Sequence, residues 1–248
     1  MTTITATPDV ALGAVNITIT KTEAINSLVR ADVNGTKPVR ATAGFFPSAG
    51  TSGTLELTDH EAALTGPILY RAGASATAWT AFPKGMEPRL TLPLHPSADV
   101  LAKEVTDYSY SRETAGTIHE IIGREEDPVI IRGGMKARRG SLEIIVDNFE
   151  QVTALENLLS LRHTVQYRQG DVEGMDFYFS PLSLAPRPEA DGAWSLTVSY
   201  IKTAFPVGDR IASWAWTFSD LAAAPGATFG TVAQDYKSFT ALAMNEKS

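Results

Sequence analysis

Short segments in which apolar and polar residues alternate recur along most of this chain, separated by Gly, Pro and Asn. A period of two puts every second side chain on one face, so such a segment buries one face as a β-strand and cannot do so as a helix. Val15 to Thr20 is one example, Thr54 to Thr58 a second, Arg89 to Leu94 a third and Ser195 to Thr203 a fourth. Leu28 to Val33 runs into Asn34-Gly35, and Lys37 to Arg40 returns. Asn-Gly predicts a two-residue hairpin turn with both central residues at positive φ. Further strands are expected at 68–71, 105–112, 117–122, 128–132, 142–146, 165–168 and 175–179. The chain is therefore expected to be mainly β.

One line occurs twice. Gly53-Thr54-Leu55-Glu56-Leu57, then Asp59, Tyr70-Arg71 and Gly73, is echoed by Gly140-Ser141-Leu142-Glu143-Ile144, then Asp147, Tyr167-Arg168 and Gly170. The order suggests a tandem duplication of one β-module, built as a sandwich or a split barrel. Glu56 and Glu143 point away from the leucine face and are expected to be solvated or interfacial. The corresponding divisions are an N-terminal arm over 1–13, a first module over 14–113, a second over 114–206 and a tail over 207–248. The arm is expected to have little core of its own. Residues 41–53, rich in Gly, Ser and Ala, read as a flexible loop, and Asp59 as the cap of a short helical turn through Leu64.

The body contains one strong helical signal. Phe149, Val152, Leu155, Leu158 and Leu159 lie at helical spacing over 147–161, and Asp147 with Glu150 resembles a capping box. The tail carries a different repeat. Thr217-Phe218-x-x-Leu221-Ala222 recurs as Thr228-Phe229-x-x-Val232-Ala233 and Ser238-Phe239-x-x-Leu242-Ala243. Each unit presents a Phe and an aliphatic residue on one face of a single helical turn. Helices this short are unstable alone, so they must dock on the chain's own body or on a partner. Trp214 and Trp216 are suited to anchor that contact.

Composition narrows function. With 44% hydrophobic and 20% charged residues, the chain can build a sizeable core. It has no cysteine, which excludes disulfides, thiolate nucleophiles and Cys-based metal sites. The formal net charge of −7 argues against non-specific nucleic-acid binding by the molecule as a whole. The first residues lack the basic and apolar regions of a signal peptide, and no apolar run is long enough to span a bilayer. No nucleophile elbow, phosphate loop or dinucleotide fingerprint occurs. His60, His95, His119 and His163 are scattered and lie in no metal-ligand spacing, and no cofactor is expected. Asp171, Glu173 and Asp176 place three carboxylates close together, but without the length or glycine of a calcium loop; they read as a solvated hairpin loop.

The basic loop from Arg132 through Lys136, Arg138 and Arg139 is flanked by Gly133 and Gly140. In an acidic molecule it reads either as a solvated loop or as a contact with acidic residues of an adjacent copy. The run Glu125-Glu126-Asp127, expected in a turn, is the natural counterpart. DNA is the poorer partner for it.

Taken together, several pieces of the second half resemble minor tail proteins of long-tailed phages that infect actinobacteria. They are Tyr110-Ser111-Arg112-Glu113, Ile118 to Arg124, Asp127-Pro128-Val129, Gly140-Ser141-Leu142-Glu143, the Leu-rich helix and the last strand before Pro206. The Thr-Phe-x-x-Leu-Ala units also look like tail-end repeats of such proteins. The resemblance implies a distal tail or hub protein with a fold similar to tail-tube subunits, a β-sandwich or split barrel with a flanking helix. It implies assembly as a ring in the virion tail tip, built in the host cytoplasm. The ring would be a hexamer, or a trimer with pseudo-sixfold symmetry if each chain carries two modules. Tail tube, tape-measure, hub and receptor-binding proteins would be its neighbours, and DNA would pass through without specific binding. An autonomous carbohydrate-binding or glycan-cleaving module is the alternative, with Trp79, Trp194, Trp214 and Trp216 available to stack on sugars.

Overall fold

The computed structural model describes residues 2–41, 45–48, 52–73, 76–121, 124–161, 163–170, 172 and 175–208. These residues are mainly β, as the alternation requires. In the first part of the chain, β1 (Thr3–Asp9), β2 (Ala14–Lys21) and β5 (Gly53–Asp59) form an antiparallel sheet with β2 central. A second sheet has the order β4-β3-β6-β7, from β3 (Leu28–Asp32), β4 (Gly35–Pro38), β6 (Ile68–Ala72) and β7 (Ala76–Thr80). The apolar faces meet as a sandwich: Ile17, Ile19, Leu55 and Leu57 share one core with Leu28, Ile68 and Tyr70. Residues expected to form a free arm instead supply β1, whose Ile4 joins this core. The expected flexible loop also contributes, since Phe45, in the short helix α1 (Phe45–Ser48), is buried there.

Three local expectations are corrected. The β3–β4 turn is centred on Val33 and Asn34, because Asp32 pairs with Gly35. Only Gly35 takes positive φ, at 92°. Asn34 spends its side chain on Asp176, donating from Nδ2 over 2.7 Å. Asp59 caps no helical turn: it ends β5 buried, where it accepts the Glu61 N–H and pairs with Arg30. Asp176, expected in a solvated loop, is half-buried and also accepts the Gln169 N–H. Burial pushes its carboxyl above the usual range. Asp171 and Glu173 lie outside the described residues.

The second core lies on a seven-stranded antiparallel sheet. Its strands are β8 (Arg89–Leu92), β9 (His95–Leu101), β10 (Glu104–Ser111), β13 (Arg139–Val146), β14 (Val165–Arg168), β15 (Phe177–Pro188) and β16 (Trp194–Thr203). They run in the order β10-β13-β16-β15-β14-β8-β9. Residues 89–111, read from the sequence as first-module strands, therefore hydrogen-bond with second-half strands, and the sheets change over before Arg89 rather than at 113/114. β15 is longer than its alternation suggested. It is interior where Phe177 to Phe179 pair with β14, then passes a bulge between Pro181 and Ser183. Beyond it, Pro186 and Pro188 keep their pairing to β16 on one side only, where prolines are tolerated.

The helix α2 (Phe149–Ser160) lies against this sheet with Val152, Leu155 and Leu158 buried. Its N-cap is Asn148 rather than Asp147: Asn148 Oδ1 accepts the Gln151 N–H at 2.9 Å. Gln151 Oε1 in turn accepts the N–H of Asp147, the residue before the N-cap, so the contact resembles a capping box but reaches one residue further back.

Candidate assembly surfaces and the junction behind them

Strands β8 and β14 are buried on both faces. One face, Leu90, Leu92, Val165 and Tyr167, belongs to the helix-side core. The alternate residues Arg89, Thr91, Gln166 and Arg168 are equally buried but polar. They face the first half, and all but Thr91 bond to its backbone. Arg168 donates to the carbonyls of Gly13 and Ala62, at 2.7 and 3.0 Å. Arg89 donates to those of Val10 and Ala11, and Gln166 to that of Glu61. These donors satisfy buried carbonyls that an apolar contact would leave unpaired, although Nε of Arg89 and Nε and Nη2 of Arg168 have no hydrogen-bond partner among the described residues.

Two buried ion-pair groups extend this junction. Arg30 Nη1 lies 2.9 and 2.8 Å from the Asp59 oxygens, and its Nε lies 2.7 Å from Asp32. Tyr70 donates to Asp59 as well. Burial alone would raise the Asp59 carboxyl, but the Arg30 charge and these hydrogen bonds hold it below the usual carboxylate range. Nearby, Arg40 pairs with Glu61 at 2.7 Å, and Tyr178 donates to the other Glu61 oxygen. Here burial wins, and the Glu61 carboxyl is pushed up. The Arg40 guanidinium also donates to the carbonyls of Pro206 and Gly208 and lies 4.2 Å from the Phe205 ring centre. Tyr178 meets Phe205 edge-on. The segment leaving β16 is thus pinned to the first half at the root of the tail.

A separate β-element lies between β10 and β13 along the chain. Strands β11 (Thr114–Ile121) and β12 (Arg124–Met135) pair only with each other, as a two-stranded hairpin. Ile131 and Met135 on it are more than half exposed. The charged run 124–127 lies within β12, where Arg124 pairs with Ile121. That corrects the expected charged turn. The strand continues through Arg132, and the side chains of Arg132, Glu125 and Glu126 lie outside what the structure describes.

At the base of the hairpin, Lys136 is exposed and bonds to Glu113 of the same chain at 3.0 Å, a partner the sequence reading did not single out. Arg138 stacks over the Tyr110 ring at 4.6 Å, on the edge strand β10. Arg139 is exposed at the start of β13. The structure therefore brings Lys136, Arg138 and Arg139 to the end of the sheet where β13 begins, with Arg138 over Tyr110. The docking candidates Trp214, Trp216, Phe218, Leu221, Phe229, Val232, Phe239 and Leu242 lie outside the described residues. Trp79 is exposed on β7, whereas Trp194 packs against Phe149 at 5.2 Å on the other half of the molecule. No helix among the described residues is long and apolar enough to cross a membrane.

The two copies of the doubled line differ in their surroundings. β5 pairs only with β2, while β13 lies between β10 and β16. Asp59 is buried against Arg30, whereas Asp147 makes an exposed pair with Lys103. Arg71 is exposed and Arg168 fully buried.

No protein-family model matches the chain, and no curated protein matches it. Among solved structures it is similar to the SPP1 Dit (gp 19.1) protein, described as a paradigm of the hub adsorption apparatus in Gram-positive-infecting phages. The identity is 19%, the TM-score 0.33, and the match covers 46% of this chain and 49% of that one. The chain thus spans about half the length of that protein.

Proposed function

We propose that this chain is a structural subunit of a phage tail tip, forming a ring at the distal end of the tail tube and linking it to hub or receptor-binding proteins. The observation that carries the reading is the β11–β12 hairpin. A two-stranded hairpin is marginal by itself in water, and this one exposes Ile131 and Met135. Seated on a neighbouring copy, it would bury those side chains and gain the stability it lacks alone. The edge strand β10, with Arg138, Arg139 and Tyr110 beside it, offers a polar and aromatic surface for the same contact. Like interfaces repeated around an axis close into a ring. The residue motifs shared with actinobacteriophage minor tail proteins point to the same role, which is non-catalytic and belongs to the virion.

A hexamer is the favoured ring, with a pseudo-sixfold trimer as the alternative, and the C-terminal Phe repeats supply a docking segment for neighbouring tail proteins. DNA passes through such a ring without specific contacts, consistent with the chain's net charge of −7. Light scattering with negative-stain imaging of the purified chain tests the reading. A closed ring is expected. A stable monomer that binds glycan would overturn it in favour of the carbohydrate-module alternative.

A further inference from the structure

The histidines look scattered in sequence, but two of them meet in space. His95 opens β9, just after the tight β8–β9 turn. His163 follows the C-cap of α2 and precedes β14. Packing of α2 over β9 and the antiparallel pairing of β14 with β8 bring both loops to one end of the sheet. There the two Nε2 atoms lie 3.1 Å apart, with ring centres 4.5 Å apart and planes tilted by 42°. Both side chains are partly exposed, so solvent reaches the pair.

We infer that His95 and His163 form a two-histidine clamp for a divalent late transition-metal cation of the Zn2+, Ni2+ or Cu2+ class. Neutral imidazole nitrogen is a preferred ligand for these ions, and Mg2+ or Ca2+ would select oxygen instead. A metal placed about 2.0–2.1 Å from each Nε2, the usual Zn–N distance, would subtend an angle of about 95–102° across the 3.1 Å gap. That lies between the octahedral or square-planar cis angle and the tetrahedral angle, so the observed spacing fits a cis pair of ligands. Without a cation, the same separation accommodates one N–H···N hydrogen bond and no more, because two facing protons would repel. Among the described residues no third His, Cys, Asp or Glu joins the pair. The remaining coordination positions therefore belong to solvent or an added ligand. A bound cation would tie the loop after α2 to the outermost strand of the sheet. Because it would bind the folded chain, it would raise the melting temperature in proportion to its concentration over Kd.

The test uses the untagged full chain, stripped with chelator and titrated calorimetrically with ZnCl2 near neutral pH. NiCl2 serves as a second probe and MgCl2 as a control. One saturable site per chain is expected for Zn2+ and Ni2+, and none for Mg2+. His95→Gln and His163→Gln should each weaken binding by at least about tenfold. Absence of saturable Zn2+ binding, or affinity unchanged in either variant, overturns the proposal. Should a variant fail to fold, imidazole NMR signals of the wild-type chain decide the matter. Selective shifts of His95 and His163 with Zn2+ support the clamp, and shifts confined to His60 and His119 refute it.

Discussion

Replacing Arg30 by Met probes the buried junction most directly. In the native chain one guanidinium serves two carboxylates, Asp59 through Nη1 at 2.8 and 2.9 Å and Asp32 through Nε at 2.7 Å. All three side chains are at most 1% exposed. Arg30→Met leaves both carboxylates buried without their shared cation, and breaking a buried pair in this way costs about 3–5 kcal/mol. Asp59→Asn should cost less, about 1–3 kcal/mol, because Arg30 keeps Asp32 and the shape is preserved. The pH dependence separates this account from simple loss of packing. In the wild type the Asp59 carboxyl titrates below its unfolded value. Its contribution is therefore present above the ordinary carboxylate pKa of about 3.9 and is lost as pH falls through the lower folded value. In Arg30→Met burial would raise the Asp59 carboxyl instead, so the variant loses stability as pH rises above that ordinary value. The deficit, measured by urea denaturation followed by tryptophan fluorescence and circular dichroism, should be larger near neutral pH than near pH 4.5. A deficit below about 1 kcal/mol, or one that does not shrink in acid, would refute the reasoning.

Gly140→Ala should separate β10 from β13, since the new Cβ would fall 1.9 Å from the Ser109 carbonyl oxygen; a loss of about 1–3 kcal/mol and faster amide exchange along β10 are expected. Reversing Lys136, Arg138 and Arg139 to Glu should leave the melting temperature nearly unchanged. It should weaken self-association at low salt, and unchanged sedimentation would remove the basic loop from the interface. Truncation after Gly208 keeps the carbonyls that Arg40 holds. The body should therefore stay folded while assembly or partner docking weakens, and an unfolded product would show that the tail completes the chain's own core.

Much of the fold is legible in local pattern. Val15, Ile17 and Ile19 alternate with polar residues and are buried where the alternation puts them. Val152, Leu155 and Leu158 recur at helical spacing and face the sheet. Such periods are set by the geometry of a single strand or helix, so the sequence carries them without reference to anything distant. The candidate assembly surface is legible only in part: the basic residues Lys136, Arg138 and Arg139 and two strands at 117–122 and 128–132 can be read from the sequence, but not the full length of β11 and β12 or Glu113 as partner of Lys136. An ion pair across a hairpin depends on its register, and the register depends on where the turn falls.

The doubled line shows where sequence stops determining the answer. Gly53 and Gly140 hold the same place in the doubled line, yet Gly53 holds a backbone at φ 130° with open space around it, and Gly140 is small because the next strand crosses against it. Asp59 and Asp147 match too, and one is buried on Arg30 while the other is exposed beside Lys103. The alternation of Arg89 to Leu92 made it a strand, but only pairing with β14 assigned it to the second sheet. His95 and His163 carry no shared spacing at all and meet because α2 folds over β9. The sequence by itself determined most of the strands, the helix α2 and which of their faces are apolar, because those depend on neighbours along the chain. Sheet membership, the environment of each buried charge and the histidine pair were decided by tertiary structure, because each depends on a contact between residues far apart in sequence.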